Sequence, residues 1–164
     1  MKILLLEDDL ILSAELGKFL ENNDYECKRV YDGDVFMREI KANQYDFYLL
    51  DINVPKINGL DVCEKIRSVD QDTPIIMISA YGDISDKKDA FSRLADDYLV
   101  KPFSARELYA RVTAQLQQRL FSQTLERAVA ERTRDLEAAL AAKNRFLSTV
   151  SHEVRTPMAG VMGL

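Results

Sequence analysis

Four short apolar stretches of this chain each end in a residue that can handle charge. Ile3–Leu6 runs into Glu7-Asp8-Asp9, Phe47–Leu50 into Asp51, Ile75–Ile78 into Ser79-Ala80, and Tyr98–Val100 into Lys101-Pro102. Carboxylates brought together repel one another unless a cation lies among them. An all-oxygen set with few protein ligands suits Mg²⁺ better than zinc or copper. Mg²⁺ keeps open coordination positions for phosphate oxygens, Lys101 would offset charge on the same group, and Ser79 would donate one hydrogen bond to it. These are the parts needed to transfer a phosphoryl group to a carboxylate, a reaction carried mostly by positioning and electrostatics. Singly, each signal has a plainer reading: Glu-Asp-Asp as a solvated turn, Asp51 as a helix N-cap or Asx-turn residue, Ser79 as a satisfied loop hydroxyl. Their order after successive apolar runs gives the combination its weight.

Such groups converge only if the runs are parallel strands, because the loops beyond the carboxyl ends of an open α/β sheet line its ligand crevice. The rest of the pattern agrees. Cys27–Tyr31 supplies a fifth run, and between the runs Leu10–Leu20, Val35–Ile40, Leu60–Ile66 and Lys87–Leu94 place apolar residues at helical intervals. This alternation predicts a parallel sheet wrapped by helices, with five strands and five helices. Asp32-Gly33, Pro55, Asn58-Gly59, Pro74 and Gly82 punctuate the joints. Ser104 with Glu107 reads as a capping box opening the fifth helix, and no glycine or proline lies between Pro102 and Pro157. A helix of about 50 residues, roughly 75 Å long, is expected there.

The second half of that helix outruns any domain of this size and needs a partner for its apolar side. Steps of four and three from Val129 reach Thr133, Leu136, Leu140, Lys143, Leu147, Val150 and Val154, a seam along which two chains would pair. The alternative is a long amphipathic helix folded back on its own domain. With 164 residues, 47% of them hydrophobic, the chain can bury one core and leave an appendage. Its 27 acidic against 22 basic side chains, a net charge of −5, argue against a nucleic-acid surface. Cys27 and Cys63 lack metal-ligand spacing and read as reduced core thiols. The apolar start, stopped at once by Glu7-Asp8-Asp9, is too short for a signal peptide or a membrane span, so a cytoplasmic location is expected.

Over residues 1–120 the chain resembles the receiver domains of two-component response regulators. The resemblance lies in Ile3-Leu4-Leu5-Leu6-Glu7-Asp8-Asp9, Leu50-Asp51-Ile52-Asn53-Val54-Pro55, Asn58-Gly59-Leu60, Ile78-Ser79-Ala80 and Ala95 through Phe103. It implies a flavodoxin-like (βα)5 doubly wound sheet of order 2-1-3-4-5. It further implies Asp51 as phosphoacceptor, Glu7 and Asp8 as the acidic pair around Mg²⁺, and the Asn53 carbonyl as another metal ligand. Ser79 and Tyr98 would be the switch pair, Lys101 the phosphate-binding lysine, and Lys101-Pro102 a cis peptide. Leu94 departs from the pattern, since the family usually has glycine there to end a helix in the left-handed conformation.

Residues Phe146 through Met158, with His152-Glu153-Val154-Arg155-Thr156-Pro157 at their centre, are similar to the phosphoacceptor box of sensor histidine kinases. In the seam Val150 and Val154 point inward while His152, the chain's one histidine, lies off the core. The resemblance implies His152 as the phosphorylated residue, Glu153 as the acid that polarises or accepts the imidazole proton, and Thr156 as a positioner of water. Ala159, where the family often has Asn, is a minor departure. Residues 121–164 are then expected to be a coiled-coil linker and the first helix of a dimerisation and phosphoacceptor domain. The whole reads as a piece of a histidine kinase whose receiver precedes its catalytic core. No glycine-rich nucleotide loop occurs in the sequence, so the ATP-binding domain and the phosphodonor are expected as separate partners. The competing reading is a non-enzymatic dimeric receiver whose stalk only transmits a conformational signal.

Overall fold

The computed structural model describes residues 1–80 and 94–162, with side chains to residue 156. Strands β1 (Lys2–Leu6), β2 (Glu26–Val30), β3 (Phe47–Asp51), β4 (Ile75–Ala80) and β5 (Asp97–Lys101) form one sheet in the order β2-β1-β3-β4-β5. Every neighbouring pair is parallel. The described helices are α1 (Leu10–Glu21), α2 (Gly33–Ala42), α3 (Gly59–Arg67) and α4 (Ala105–Met162). This is the flavodoxin-like doubly wound sheet with a long C-terminal helix. The helix expected over Lys87–Leu94 lies, apart from Leu94, outside the described residues.

Each strand feeds two cores because successive side chains leave a strand on opposite faces. Leu4, Leu6, Tyr48, Leu50, Ile75 and Met77 pack with Phe36 of α2 and with Val62, Cys63 and Ile66 of α3. Ile3, Leu5, Phe47, Leu49, Ile76 and Ile78 pack with Leu16 and Leu20 of α1 and with Leu108, Val112 and Leu116 of α4. The four-residue spacing of those last three side chains is the apolar stripe that holds the start of α4 on the sheet. Full burial of each such side chain contributes roughly 1.5–3 kcal/mol. Sheet burial on both faces also explains why β1, β3 and β4 read as unbroken apolar runs rather than alternating ones.

Polar caps set where the helices begin. Asp9 Oδ1 accepts from the N–H groups of Ile11 and Leu12 at 2.9 and 3.0 Å, Asp32 Oδ1 from Val35 at 2.9 Å, and Asn58 Oδ1 from Asp61 at 2.9 Å. Ser104 Oγ accepts from Glu107 N–H at 3.1 Å, the serine half of the expected capping box, while the Glu107 carboxylate meets Arg111 Nη2 at 3.3 Å.

By its contacts the chain divides into two compact units, Met1–Arg119 and Leu120–Leu164. In the second unit α4 is exposed on all sides through residue 156. The helix does not end at Pro157 but continues to Met162. A proline within a helix removes one i→i−4 hydrogen bond, and the turns on either side can keep helical backbone. Leu94 is not among the residues of positive φ, which among the described non-glycine residues are Asp24 and Lys56. Its carbonyl is instead held by Arg67 Nε at 2.7 Å. Both cysteines are free thiols, and no helix among the described residues is long and apolar enough to cross a membrane.

Candidate functional site

Register decides which side chains meet at the carboxyl edge of the sheet. Leu6 pairs with Leu50 and Asp51 with Ile78, while Ala80 pairs with Lys101, so the residues that end β1, β3, β4 and β5 lie side by side. Glu7 is fully buried and Asp51 nearly so. Lys101 Nζ lies 2.6 Å from Asp51 Oδ2 and 2.9 Å from Glu7 Oε2. Each carboxylate uses its other oxygen on backbone: Asp51 Oδ1 accepts from Asn53 N–H at 3.0 Å, and Glu7 Oε1 from Asp9 N–H at 3.2 Å. The Asx-turn expected as the plain reading of Asp51 is therefore present, and it occupies only one oxygen.

Asp8 is exposed beside this pair, and oxygens of Glu7, Asp8 and Asp51 lie within 4.8 Å of one another. Three carboxylates face one ammonium. Burial raises the Glu7 carboxyl to about 7 against the opposing pull of Lys101, and the charge of Asp51 pushes the same way as burial. Burial works against the charge of Lys101, but its hydrogen bonds to Asp51 and Glu7 outweigh this and hold its pKa above the ordinary value. The all-oxygen set, short of positive charge, fits a hard cation that takes carboxylate ligands and keeps waters. The Mg²⁺ inferred above matches this carboxylate cluster.

Ser79 Oγ is buried on β4 with no hydrogen-bond partner among the described residues. A buried hydroxyl without a partner is costly, and here it lies at the same sheet edge as Asp51 and Lys101. Asn53 is exposed in the loop after β3. Tyr98 is half-buried against the core that contains Cys63, and burial pushes its phenol up to about 12. The Lys101-Pro102 peptide is cis. His152, Glu153 and Thr156 belong to the second unit, where all three are exposed and Thr156 Oγ1 donates to the His152 carbonyl at 3.0 Å.

Two supporting residues escaped the sequence reading. Gly59 packs so closely under β3 that a Cβ there would sit 2.0 Å from the Asp51 carbonyl oxygen. Its place in Asn58-Gly59-Leu60 marked a turn and part of the resemblance, but not this close approach to β3. Arg67 binds the carbonyls of Leu94, Asp70 and Thr73 and the carboxylate of Asp96, tying the end of α3 to the starts of β4 and β5. Nothing local in the sequence signals those contacts.

The family described as "Response regulator receiver domain" matches residues 3–113. The chain belongs to that family. The receiver is 44% identical over 115 residues to the response regulator ArlR of Staphylococcus saprophyticus, covering 70% of this chain and 52% of ArlR. The chain thus spans about half the length of the curated relatives it matches. Among solved structures it is similar to the response regulator TrrA of Thermotoga maritima in complex with Mg²⁺ and BeF, at TM-score 0.64 and 32% identity over 70% of this chain and 97% of TrrA. It is also similar to a putative response regulator of Chloroflexus aurantiacus, at TM-score 0.66 and 34% identity over 71% of this chain and 97% of that one.

Proposed function

We propose that this receiver takes a phosphoryl group on Asp51, in the presence of Mg²⁺, from a histidine-phosphorylated protein or a small phosphodonor. We further propose that its state acts on a cytoplasmic histidine kinase through a paired helix carrying His152. The first half rests on one observation above the others: the Lys101 ammonium is set between buried Asp51 and Glu7, with the unpartnered Ser79 hydroxyl at the same sheet edge.

In this reading the Asp51 carboxylate attacks phosphorus in line with the leaving group. With a phosphohistidine donor a P–O bond forms as the P–N bond breaks and the departing imidazole nitrogen takes up a proton; with acetyl phosphate the bond broken is P–O and acetate leaves. Lys101 keeps its charge and shifts from carboxylate to phosphoryl oxygen, and Ser79 Oγ–H donates to a second one. Glu7, Asp8, Asp51 and the Asn53 carbonyl would hold Mg²⁺, which when bound offsets the charge between carboxylate and phosphoryl oxygens. Ser79 and Tyr98 would then report the modified state to the rest of the domain.

The second half rests on the His152-Glu153-Val154-Arg155-Thr156-Pro157 stretch and the exposed seam, beyond the family match that ends at residue 113. There His152 would accept phosphoryl, Glu153 would assist its imidazole, and Thr156 would place water for dephosphorylation. The rival, a non-enzymatic dimeric receiver whose stalk only transmits a conformational signal, is favoured by the curated relatives, which are response regulators.

Labelling with acetyl phosphate and Mg²⁺ tests the first half: Asp51→Asn is expected to abolish uptake, and wild-type uptake by that variant would assign the acceptor elsewhere. Labelled ATP with a separately produced kinase domain tests the second. Acid-labile label that vanishes in His152→Ala supports the kinase reading, and its absence from the wild type supports the rival.

A further inference from the structure

We propose that Asp32 and Lys56 are a positioning pair that fixes the loop after β3 on the first turn of α2 and so sets how tightly the carboxylate site holds a divalent cation. The inference deepens the Mg²⁺ reading above and rests on it.

The loop of residues 52–58 carries Asn53, whose N–H holds Asp51 Oδ1. Its base is anchored within the sheet edge, with Ile52 N–H on the Ile78 carbonyl at 3.0 Å and Gly59 N–H on the Ile52 carbonyl at 2.9 Å. Its crest is anchored from the other side, by α2. Gly33 N–H donates to the Pro55 carbonyl at 3.2 Å, and a Cβ on Gly33 would lie 2.0 Å from the Ile57 carbonyl oxygen. Lys56 Nζ completes the attachment 3.1 Å from Asp32 Oδ2.

Lys56 holds φ at 68°, in the left-handed region that glycine adopts freely and a branched-off Cβ makes costly. A lysine there gives up backbone ease and supplies one thing that glycine lacks, an ammonium on Asp32. The Asp32 carboxylate divides its work: Oδ1 caps α2 through Val35 N–H at 2.9 Å, and Oδ2 takes Lys56. Those contacts, the Val35 N–H first, hold its carboxyl below the ordinary range, so it stays charged at neutral pH.

The Lys56 side chain is more than half exposed, and an ion pair in that setting adds little to global stability. Its effect falls on where the loop stands. Groups behind metal ligands commonly change affinity by about 10–100-fold when removed, by letting the ligands drift. Here the route runs through backbone, from Lys56 to Asn53 and Asp51.

The test is calorimetric Mg²⁺ titration of the 164-residue chain as wild type, Asp32→Asn, Lys56→Met and the double variant. Asp32→Asn keeps an oxygen for the α2 cap, since asparagine caps as well as aspartate. Each single change is expected to weaken Mg²⁺ binding about tenfold, at the low end of that range, with little change in melting temperature. The double variant is expected to lose no more than either single one, the mark of one shared device. In acetyl phosphate labelling the variants should need more Mg²⁺ for half-maximal rate and reach the wild-type rate at saturation. Should Asp32→Asn fail to fold, Lys56→Met, which touches no cap, decides. Unchanged affinity in Lys56→Met, or multiplied losses in the double variant, would overturn the pair while the metal reading stands. A wild-type chain without saturable Mg²⁺ binding would overturn both.

Discussion

The two units of this chain solve opposite problems. In Met1–Arg119, Glu7, Asp51 and Ser79 are buried at the sheet edge, and a large apolar core on both faces of the sheet offsets the cost of holding them there. In Leu120–Leu164 the large apolar side chains Leu136, Leu140 and Leu147 are half or more exposed. A core that is complete within the chain can afford buried charge where chemistry needs it. A helix that leaves its apolar seam in water calls for another helix.

The comparison breaks most visibly if the helix is disturbed. Leu136→Glu with Leu140→Glu places four carboxylates in a two-fold seam whose leucines would each contribute roughly 1.5–3 kcal/mol. Sedimentation is expected to show a dimer for the wild type and a monomer for that variant, with phosphorylation of Asp51 intact. An unchanged dimer would move the interface to the receiver unit.

A change in the first unit should do the reverse. Lys101→Met is expected to slow acetyl phosphate labelling about 10²–10³-fold, the typical loss of one preorganised donor, and to leave the dimer in place. A labelling rate within threefold of wild type would remove Lys101 from the chemistry.

Gly59→Ala sharpens the contrast between a filled interior and an open helix. Its Cβ would press on the Asp51 carbonyl, and overpacking of that kind costs about 1–3 kcal/mol. Thermal melting followed by circular dichroism should fall accordingly. Alanine placed at an exposed site of the second unit, such as Gln123→Ala, is expected to leave melting unchanged.

The smallest effect belongs to the joint between sheet and helix. Ser104→Ala removes the oxygen that accepts from Glu107 N–H, a loss of about 1 kcal/mol that equilibrium denaturation can resolve. A Ser104→Asp variant should recover it, because aspartate caps equally well.

Much of the fold was legible because it is written in local pattern. The five apolar runs became strands with bounds shifted by a residue or two, as Cys27–Tyr31 became Glu26–Val30 and Tyr98–Val100 became Asp97–Lys101. Glu7, Asp51, Ser79 and Lys101 stood out for the same reason, since residues that follow parallel strands must share one edge. That α4 runs past Pro157 to Met162 was not legible, because a proline announces a lost hydrogen bond and not whether the next turn survives.

What the amino-acid order determined by itself was type and period: which segments are strands, which are helices, and which charged residues fall at their ends. Only the tertiary structure decided who meets whom. Lys101 reaches Asp51 across 50 positions, Lys56 reaches Asp32 across 24, and Arg67 gathers Leu94 and Asp96 across 27 and 29. Such contacts depend on strand order and register, which place β3 beside both β1 and β4. Local propensity carries no record of that neighbourhood, because the hydrophobic pattern of a buried parallel strand is the same whichever strands lie beside it.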